Sequence, residues 1–121
     1  MNRFRILSRG LNRTRGEMNK TEQRYADWLS ASEDVADWWF EPLTIRLSHP
    51  SEGQPAKYTP DFLVLMTDGR TFLDDVKSGG LDDNAAIVRI KCAAELYPLW
   101  VFRLVKPIAR RDGGGFDIME V

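Results

Sequence analysis

The order of hydrophobic patterns along the 121 residues predicts an α/β (α+β) domain with helices flanking a mixed central sheet. The patterns run helix, three strands, helix, strand (α-β-β-β-α-β), an order typical of a layered mixed fold. The length leaves room for one domain, and 43% hydrophobic with 29% charged residues suits a single modest core. We divide the chain into a basic flexible arm over 1–16, a domain over 17–111, and a C-terminal tail or edge strand over 112–121.

The first helix is predicted to begin in the polar stretch 19–22, whose residue types are typical of a helix N-terminus. Met18, Tyr25 and Leu29 then fall on one face of the helix. The helix is expected to end between residues 30 and 34.

Three strands are predicted next. The first lies within 38–47, where Pro42 breaks or bulges it. The second is the apolar run 62–66. A tight Asp-Gly turn at 68–69 then returns the chain as the third strand, 71–77, so that the second and third strands form a hairpin.

The second helix is predicted to be capped at residue 82 or 83 and to run to about residue 97, because Pro98 cannot continue it. A buried strand is expected over 100–105. Three consecutive glycines then lead to 116–121, which is predicted as a short edge strand or a tail.

The cysteine and histidine counts exclude several kinds of site. The single Cys92 cannot form an internal disulfide, and with the single His49 it cannot supply the ligands of a structural zinc site. Catalysis by a Cys–His or Ser–His–Asp arrangement would depend on that one histidine, in a Pro- and Ser-rich stretch. An enzyme with this sequence must therefore work through carboxylates and lysines, with a hard metal ion as a candidate cofactor.

No apolar run approaches the ~20 residues that cross a bilayer. The arginine-rich start is not followed by the apolar stretch of a secretory signal. We therefore expect a soluble, cytoplasmic protein with no membrane partner.

The charge distribution is asymmetric despite a net charge of -1. The first 16 residues carry five arginines and no acidic residue, so the rest of the chain has 12 basic against 18 acidic residues. A basic arm on an acidic body can hold a polyanion near a site that would otherwise repel it. The alternative is a terminus kept soluble by its charges. The five arginines are Arg3, Arg5, Arg9, Arg13 and Arg15.

Two carboxylates and a lysine come together if the predicted hairpin forms. Asp61 stands at the start of one strand, directly after the rigid Pro60. Asp75 and Lys77 are two residues apart on the partner strand, so their side chains emerge on the same face. Such a group can hold a divalent cation, while the lysine orients a water and stabilises charge on a phosphate.

Each element of this group also has an ordinary structural interpretation. An Asp-x-Lys pair on a strand is often solvated, and Pro-Asp suits a turn. Glu22 lies on the inward stripe of the first helix and needs a partner there. It could instead reach back to the helix start in a capping box with Asn19. In the presence of the two aspartates and Lys77, we favour a metal-binding role for Glu22.

The order of these residues resembles that of the PD-(D/E)xK nuclease superfamily, through Glu22, then Pro60-Asp61, then Asp75-Val76-Lys77. Four longer stretches are similar to small phage and prophage endonucleases of the Holliday-junction-resolvase type. They are Asn19-Lys20-Thr21-Glu22, Tyr58-Thr59-Pro60-Asp61-Phe62, Asp75-Val76-Lys77-Ser78-Gly79 and Arg89 to Pro98. The resemblance covers about residues 18–105. The motif is short, so its specificity comes from order and placement.

The resemblance implies a restriction-endonuclease-like core over 17–111 and a metal-dependent DNA endonuclease. It implies Mg²⁺ or Mn²⁺ held by Asp61, Asp75 and the carbonyl of Val76, with Glu22 completing the site, and Lys77 positioning the attacking water. The second acid is an aspartate where glutamate is commoner. A one-residue register change would put Asp74 in its place.

The same resemblance implies DNA as the partner, with branched DNA as a candidate substrate in phage recombination or replication. It also implies a homodimer, because resolving a junction needs two cuts, and the host-cell cytoplasm for a phage-encoded chain. Lys91 on the second helix is expected to support the site, or else to be a solvated lysine. The alternative function is a non-catalytic nucleic-acid-binding protein, or a nuclease subunit that is active only within a larger complex.

Overall fold

The computed structural model describes residues 17–47, 56–77 and 83–121. The proposed basic arm with its five arginines, the stretch around His49, and the glycine break at 78–80 lie outside the described residues.

Two α-helices are present among the described residues: α1, Lys20–Ala31, and α2, Asp83–Leu96. The predicted start of α1 is confirmed, since Asn19 caps the helix. The end of α2 is also as predicted, two residues before Pro98. Neither helix is long and apolar enough to span a membrane.

Seven strands follow from the backbone pairing of the described residues. Five of them form one mixed sheet in the order β1-β4-β5-β6-β7, in which β5 and β6 are parallel and every other neighbouring pair is antiparallel. The remaining two, β2 and β3, form a separate antiparallel pair. The strands are β1 Val35–Phe40, β2 Ile45–Arg46, β3 Lys57–Tyr58, β4 Phe62–Met66, β5 Thr71–Val76, β6 Phe102–Pro107 and β7 Phe116–Glu120.

The expectation of one interrupted strand over 38–47 was wrong. The chain forms β1 in the main sheet and β2 in the small sheet, with residues 41–44 between them. Glu41 adopts a positive φ of 45°, and the adjacent Pro42 has no N–H to donate to a ladder. The partner of β2 is β3, a two-residue strand that the hydrophobic pattern did not reveal.

The predicted hairpin is present and sets the positions of the acidic residues. β4 and β5 pair with Phe62 opposite Asp74, and Gly69 in the connecting turn has a φ of 93°, which suits glycine. The two strands therefore bring Asp61 and Asp75 to the same end of the hairpin. The segment 116–120 is an edge strand of the main sheet.

Two hydrophobic clusters cover opposite faces of this sheet. Helix α1 contributes to the first cluster, and helix α2 with β2 and β3 contributes to the second. The first contains Tyr25, Ala26, Leu29, Val35, Trp38, Phe40, Phe62, Val64, Phe72, Val76 and Val105. The second contains Ile45, Tyr58, Leu73, Ile90, Ala93, Phe102 and Leu104. Both faces of the central strands are thus buried, which is typical of sheets covered by helices on both sides.

Candidate functional site

The alternation of β5 sends its two aspartates to opposite faces of the sheet. Phe72 and Val76, on the face of Asp74, belong to the cluster of α1, whereas Leu73, on the face of Asp75, belongs to the cluster of α2. Both aspartates are buried, with exposed fractions of 0% for Asp74 and 3% for Asp75. Two adjacent residues of the same type therefore experience different surroundings.

Asp74 is fully engaged by side chains of the fold. The Tyr25 hydroxyl donates to its Oδ2 at 2.5 Å, and Arg103 donates from Nε to Oδ1 and from Nη2 to Oδ2, each at 2.7 Å. This is the two-pronged geometry that arginine forms with a carboxylate. Asp74 thus has a structural role, and Asp75 is the aspartate on the face of Lys77.

Asp75 and Lys77 form an ion pair, as their two-residue spacing predicts. The Lys77 Nζ lies 3.0 Å from Asp75 Oδ2, and 28% of the lysine side chain is exposed against 5% of the aspartate side chain. The carboxylate is therefore held inside the protein, while the ammonium group stands at the border with solvent.

Asp61 is attached to the same end of the hairpin by hydrogen bonds on both sides. Its Oδ2 accepts from the backbone N–H of Val76 at 2.8 Å, and its carbonyl accepts from the N–H of Glu41 at 2.7 Å. Pro60, which precedes it, is fully buried. Asp61 is thus fixed beside β5, next to Asp75.

The surroundings of Asp61 oppose its ionised form. Burial and then the charge of Asp75 raise the pKa of Asp61 to about 8, against the lowering effect of the Val76 N–H; the charge of Glu22 also raises it, and Lys77 lowers it. A carboxyl buried beside another carboxylate is a characteristic arrangement of functional sites.

Glu22 lies near this pair but is engaged at the helix start. Its Oε1 accepts from the N–H of Asn19 at 2.9 Å, and the Asn19 Oδ1 accepts from the Glu22 N–H at 2.8 Å, which completes a capping box. Its charge nevertheless reaches Asp61. The structure therefore shows the capping interaction and places Glu22 beside the pair without joining it to the two aspartates.

Tyr58 is a member of the site that the sequence analysis did not single out. It is 4% exposed. Among the buried side-chain nitrogen and oxygen atoms of residues 17–47, 56–77 and 83–121, its hydroxyl is the one without a hydrogen-bond partner. Burial raises the pKa of Tyr58, and the charges of Asp75 and Asp61 raise it further. The hydroxyl thus keeps its proton and faces both carboxylates, yet it makes no hydrogen bond of normal geometry to Asp75.

Helix α2 contains two basic residues, Arg89 and Lys91. Both side chains are exposed. The charge of Arg89 reaches the Tyr58 hydroxyl and lowers its pKa. Lys91 lines a shallow cavity with Ile87 and Leu104, and no ion pair among the described residues joins it to Asp61 or Asp75. The charge of Arg89 therefore acts on the Tyr58 hydroxyl, and the structure shows no such effect for Lys91.

The donor atoms at this point suit a hard cation. Asp61 and Asp75 supply two carboxylates, and the Val76 carbonyl follows directly along β5, so all candidate ligands are oxygens, as Mg²⁺ and Mn²⁺ prefer. Mg²⁺ is commonly bound by one or two carboxylates together with waters and substrate oxygens. Across the part of the chain that the structure describes, no group of three or more His, Cys, Asp or Glu side chains could hold a metal ion. The fit is therefore to a two-carboxylate site.

Comparison of the chain with protein families, with curated proteins and with solved structures finds no match in any of the three.

Proposed function

We propose that this protein is a metal-dependent DNA endonuclease of the PD-(D/E)xK type, with a restriction-endonuclease-like core, that hydrolyses phosphodiester bonds. The observation that carries the proposal is the juxtaposition of Asp61 and Asp75 at the end of the β4–β5 hairpin, with Lys77 3.0 Å from Asp75. This combines two cation ligands with one positive charge at the border with solvent.

The energetics of the pair support this proposal. Each pKa unit corresponds to about 1.4 kcal/mol between the two protonation states of a group. The raised pKa of Asp61 therefore means that its ionised form is costly in the folded protein. Asp74, one residue away from Asp75, shows that this fold can supply a buried carboxylate with donors. A divalent cation would offset the repulsion that the side chains leave between Asp61 and Asp75.

Each residue of the site would have its own role in the reaction. Asp61, Asp75 and the Val76 carbonyl would hold Mg²⁺ or Mn²⁺, which when bound polarises a phosphoryl oxygen and activates water. Lys77 would orient the attacking water, and its ammonium would stabilise negative charge that develops on the phosphate. The half-buried position of Lys77 at the border with solvent fits this role, because its charge can reach a phosphate outside the protein.

The DNA partner, the branched substrate and the homodimer are parts of the same proposal. The chain outside the first 16 residues carries an excess of acidic residues, so binding of a polyanion requires a separate source of positive charge. The arginines at 3, 5, 9, 13 and 15 would supply it, with Lys91 as a further phosphate contact. A homodimer would place two sites on one junction.

The test is cleavage of a four-way junction, a splayed fork and a linear duplex of matched sequence, with Mg²⁺, with Mn²⁺ and with a chelator. We expect metal-dependent cutting by the wild type that is lost in Asp75→Asn and kept in Asp117→Asn, an exposed aspartate on β7. The ranking of the three substrates would define the specificity.

The absence of cutting with either metal would contradict the proposal. If DNA binding were retained in that case, the protein would be a non-catalytic DNA-binding protein or a subunit that requires a larger complex. Loss of folding in Asp75→Asn would indicate a structural carboxylate instead.

A further inference from the structure

The Tyr58 hydroxyl is buried without a partner, although the fold provides partners for comparable groups. The other deeply buried tyrosine, Tyr25, donates to Asp74 at 2.5 Å. The partly buried Tyr97 donates to the carbonyl of Arg46 at 2.8 Å. A buried hydroxyl without a hydrogen bond destabilises the folded protein, and such groups in native structures call for an explanation.

The position of Tyr58 suggests what its hydroxyl serves. The centroids of the Tyr58 and Phe102 rings are 6.5 Å apart. Tyr58 packs in the cluster that contains Leu73, which lies on the same face of β5 as Asp75. The strand β3 precedes Asp61 by only three residues. The hydroxyl therefore lies on the face of the sheet opposite α1, close enough to the carboxylate pair for the charges of Asp75 and Asp61 to act on it.

In the structure, Asp75 is paired with Lys77. A carboxylate has two oxygens and can accept several donors. If one oxygen binds a cation, the other still needs a donor that fixes its orientation. A lysine in that place would bring a positive charge next to the cation, whereas a tyrosine hydroxyl is a neutral donor.

We propose that Tyr58 is a positioning residue whose hydroxyl donates to the Asp75 carboxylate when a divalent cation occupies the Asp61–Asp75 site, and so releases Lys77 toward the phosphate. This inference rests on the proposed function, since it requires the cation site. It extends that proposal to a residue outside the short sequence motif.

The test compares the wild type with Tyr58→Phe, which removes only the hydroxyl, and with Tyr97→Phe as a matched control. The first readout is the Kd for Mn²⁺ without DNA, measured by calorimetry. Removal of an outer partner of a metal ligand typically costs 10–100-fold in affinity, so we expect a 10–100-fold weaker Kd in Tyr58→Phe. Tyr97→Phe should bind Mn²⁺ as the wild type does.

The second readout is thermal unfolding with and without Mn²⁺. Without metal, Tyr58→Phe should have a Tm at or above that of the wild type, because it loses an unpaired buried hydroxyl. With Mn²⁺, the increase in its Tm should be smaller than that of the wild type. A purely structural hydroxyl would instead lower the Tm in both conditions by the same amount.

The outcomes separate this inference from the proposed function. Mn²⁺ affinity in Tyr58→Phe within twofold of the wild type would overturn the role of Tyr58, whether or not the wild type cuts DNA. A wild type that binds Mn²⁺ but cuts nothing would contradict the nuclease, while the comparison of affinities would still decide the role of Tyr58. A wild type that binds no Mn²⁺ would overturn both.

Discussion

Asp74 and Asp75 are neighbours on one strand, and the two faces of the sheet treat them in opposite ways. On the α1 face, Asp74 accepts three hydrogen bonds from Tyr25 and Arg103. On the α2 face, Asp75 lies beside Asp61, with one ion pair to Lys77. The first face has a satisfied network, which stabilises the fold. The second brings two carboxyl groups together with few donors, so that Asp61 ionises only with difficulty. We therefore assign a structural role to Asp74 and a candidate chemical role to the Asp61–Asp75 pair.

The largest expected effect is on activity when either carboxylate of the α2 face is changed. Asp61→Asn and Asp75→Asn should each lower the cleavage rate by about 10³-fold, since several kcal/mol of transition-state stabilisation would be lost. The double variant should be no slower than either single variant, because the two residues act as one unit. Single-turnover cleavage measures all three. Additive losses would contradict a shared site.

The corresponding change on the α1 face should affect folding. Asp74→Asn leaves the Arg103 guanidinium buried without its counter-charge, so we expect a loss of about 3–5 kcal/mol in the free energy of unfolding. Urea denaturation measures it, with Asp117→Asn as the exposed control. An Asp74→Asn variant as stable as the wild type would contradict the structural role that we assign to Asp74 on the α1 face.

A smaller effect is expected at the second partner of Asp74. Tyr25→Phe removes one donor to a charged acceptor and should cost about 1.5–3 kcal/mol in the free energy of unfolding. The ring would keep its packing against Phe62, where the centroids are 5.2 Å apart. A loss in the free energy of unfolding as large as that in Asp74→Asn would mean that the hydroxyl, and not the ion pair with Arg103, dominates the network.

The stability of the metal-free protein should depend on pH through Asp61. In the unfolded chain the carboxyl titrates near 3.8, whereas in the folded protein its pKa is about 8. Between these values the folded state binds more protons at Asp61, so the contribution of Asp61 to stability is greatest below pH 4 and falls as the pH rises to about 8. The slope is at most about 1.4 kcal/mol per pH unit. Asp61→Asn should remove this contribution, and unfolding curves from pH 5 to 9 measure it.

The sequence was sufficient for the hairpin and for the residues at its end. An Asp-Gly turn between two apolar runs is a strong local signal, and the period of two along β5 placed Asp75 and Lys77 on one face. The alternation could not tell whether Asp74 or Asp75 belonged to the site, because both faces of β5 are covered. That depends on Arg103, which is 29 residues distant in sequence from Asp74.

Two further features, the burial of Tyr58 and the role of Glu22, differ in what the sequence could predict. β3 is a two-residue strand, too short for a periodic signal, so the burial of Tyr58 beside Asp75 could not be foreseen. For Glu22, the spacing allowed a capping box and a metal role, and we favoured the metal role because Asp61, Asp75 and Lys77 are present; the structure shows the box, a local contact over three residues. The surroundings of Tyr58, in contrast, depend on contacts between distant segments, which a pattern of residue types does not contain.

The central claim is that Asp61 and Asp75 form a site whose repulsion a divalent cation offsets. Calorimetric titration with Mn²⁺ at pH 7, in two buffers of different ionisation enthalpy, tests it most directly. Because the pKa of Asp61 is about 8, we predict release of close to one proton per bound ion. Asp61→Asn should bind more weakly and release none. Mn²⁺ binding that releases no proton and is equally tight in Asp61→Asn, or no binding by the wild type, would contradict the account.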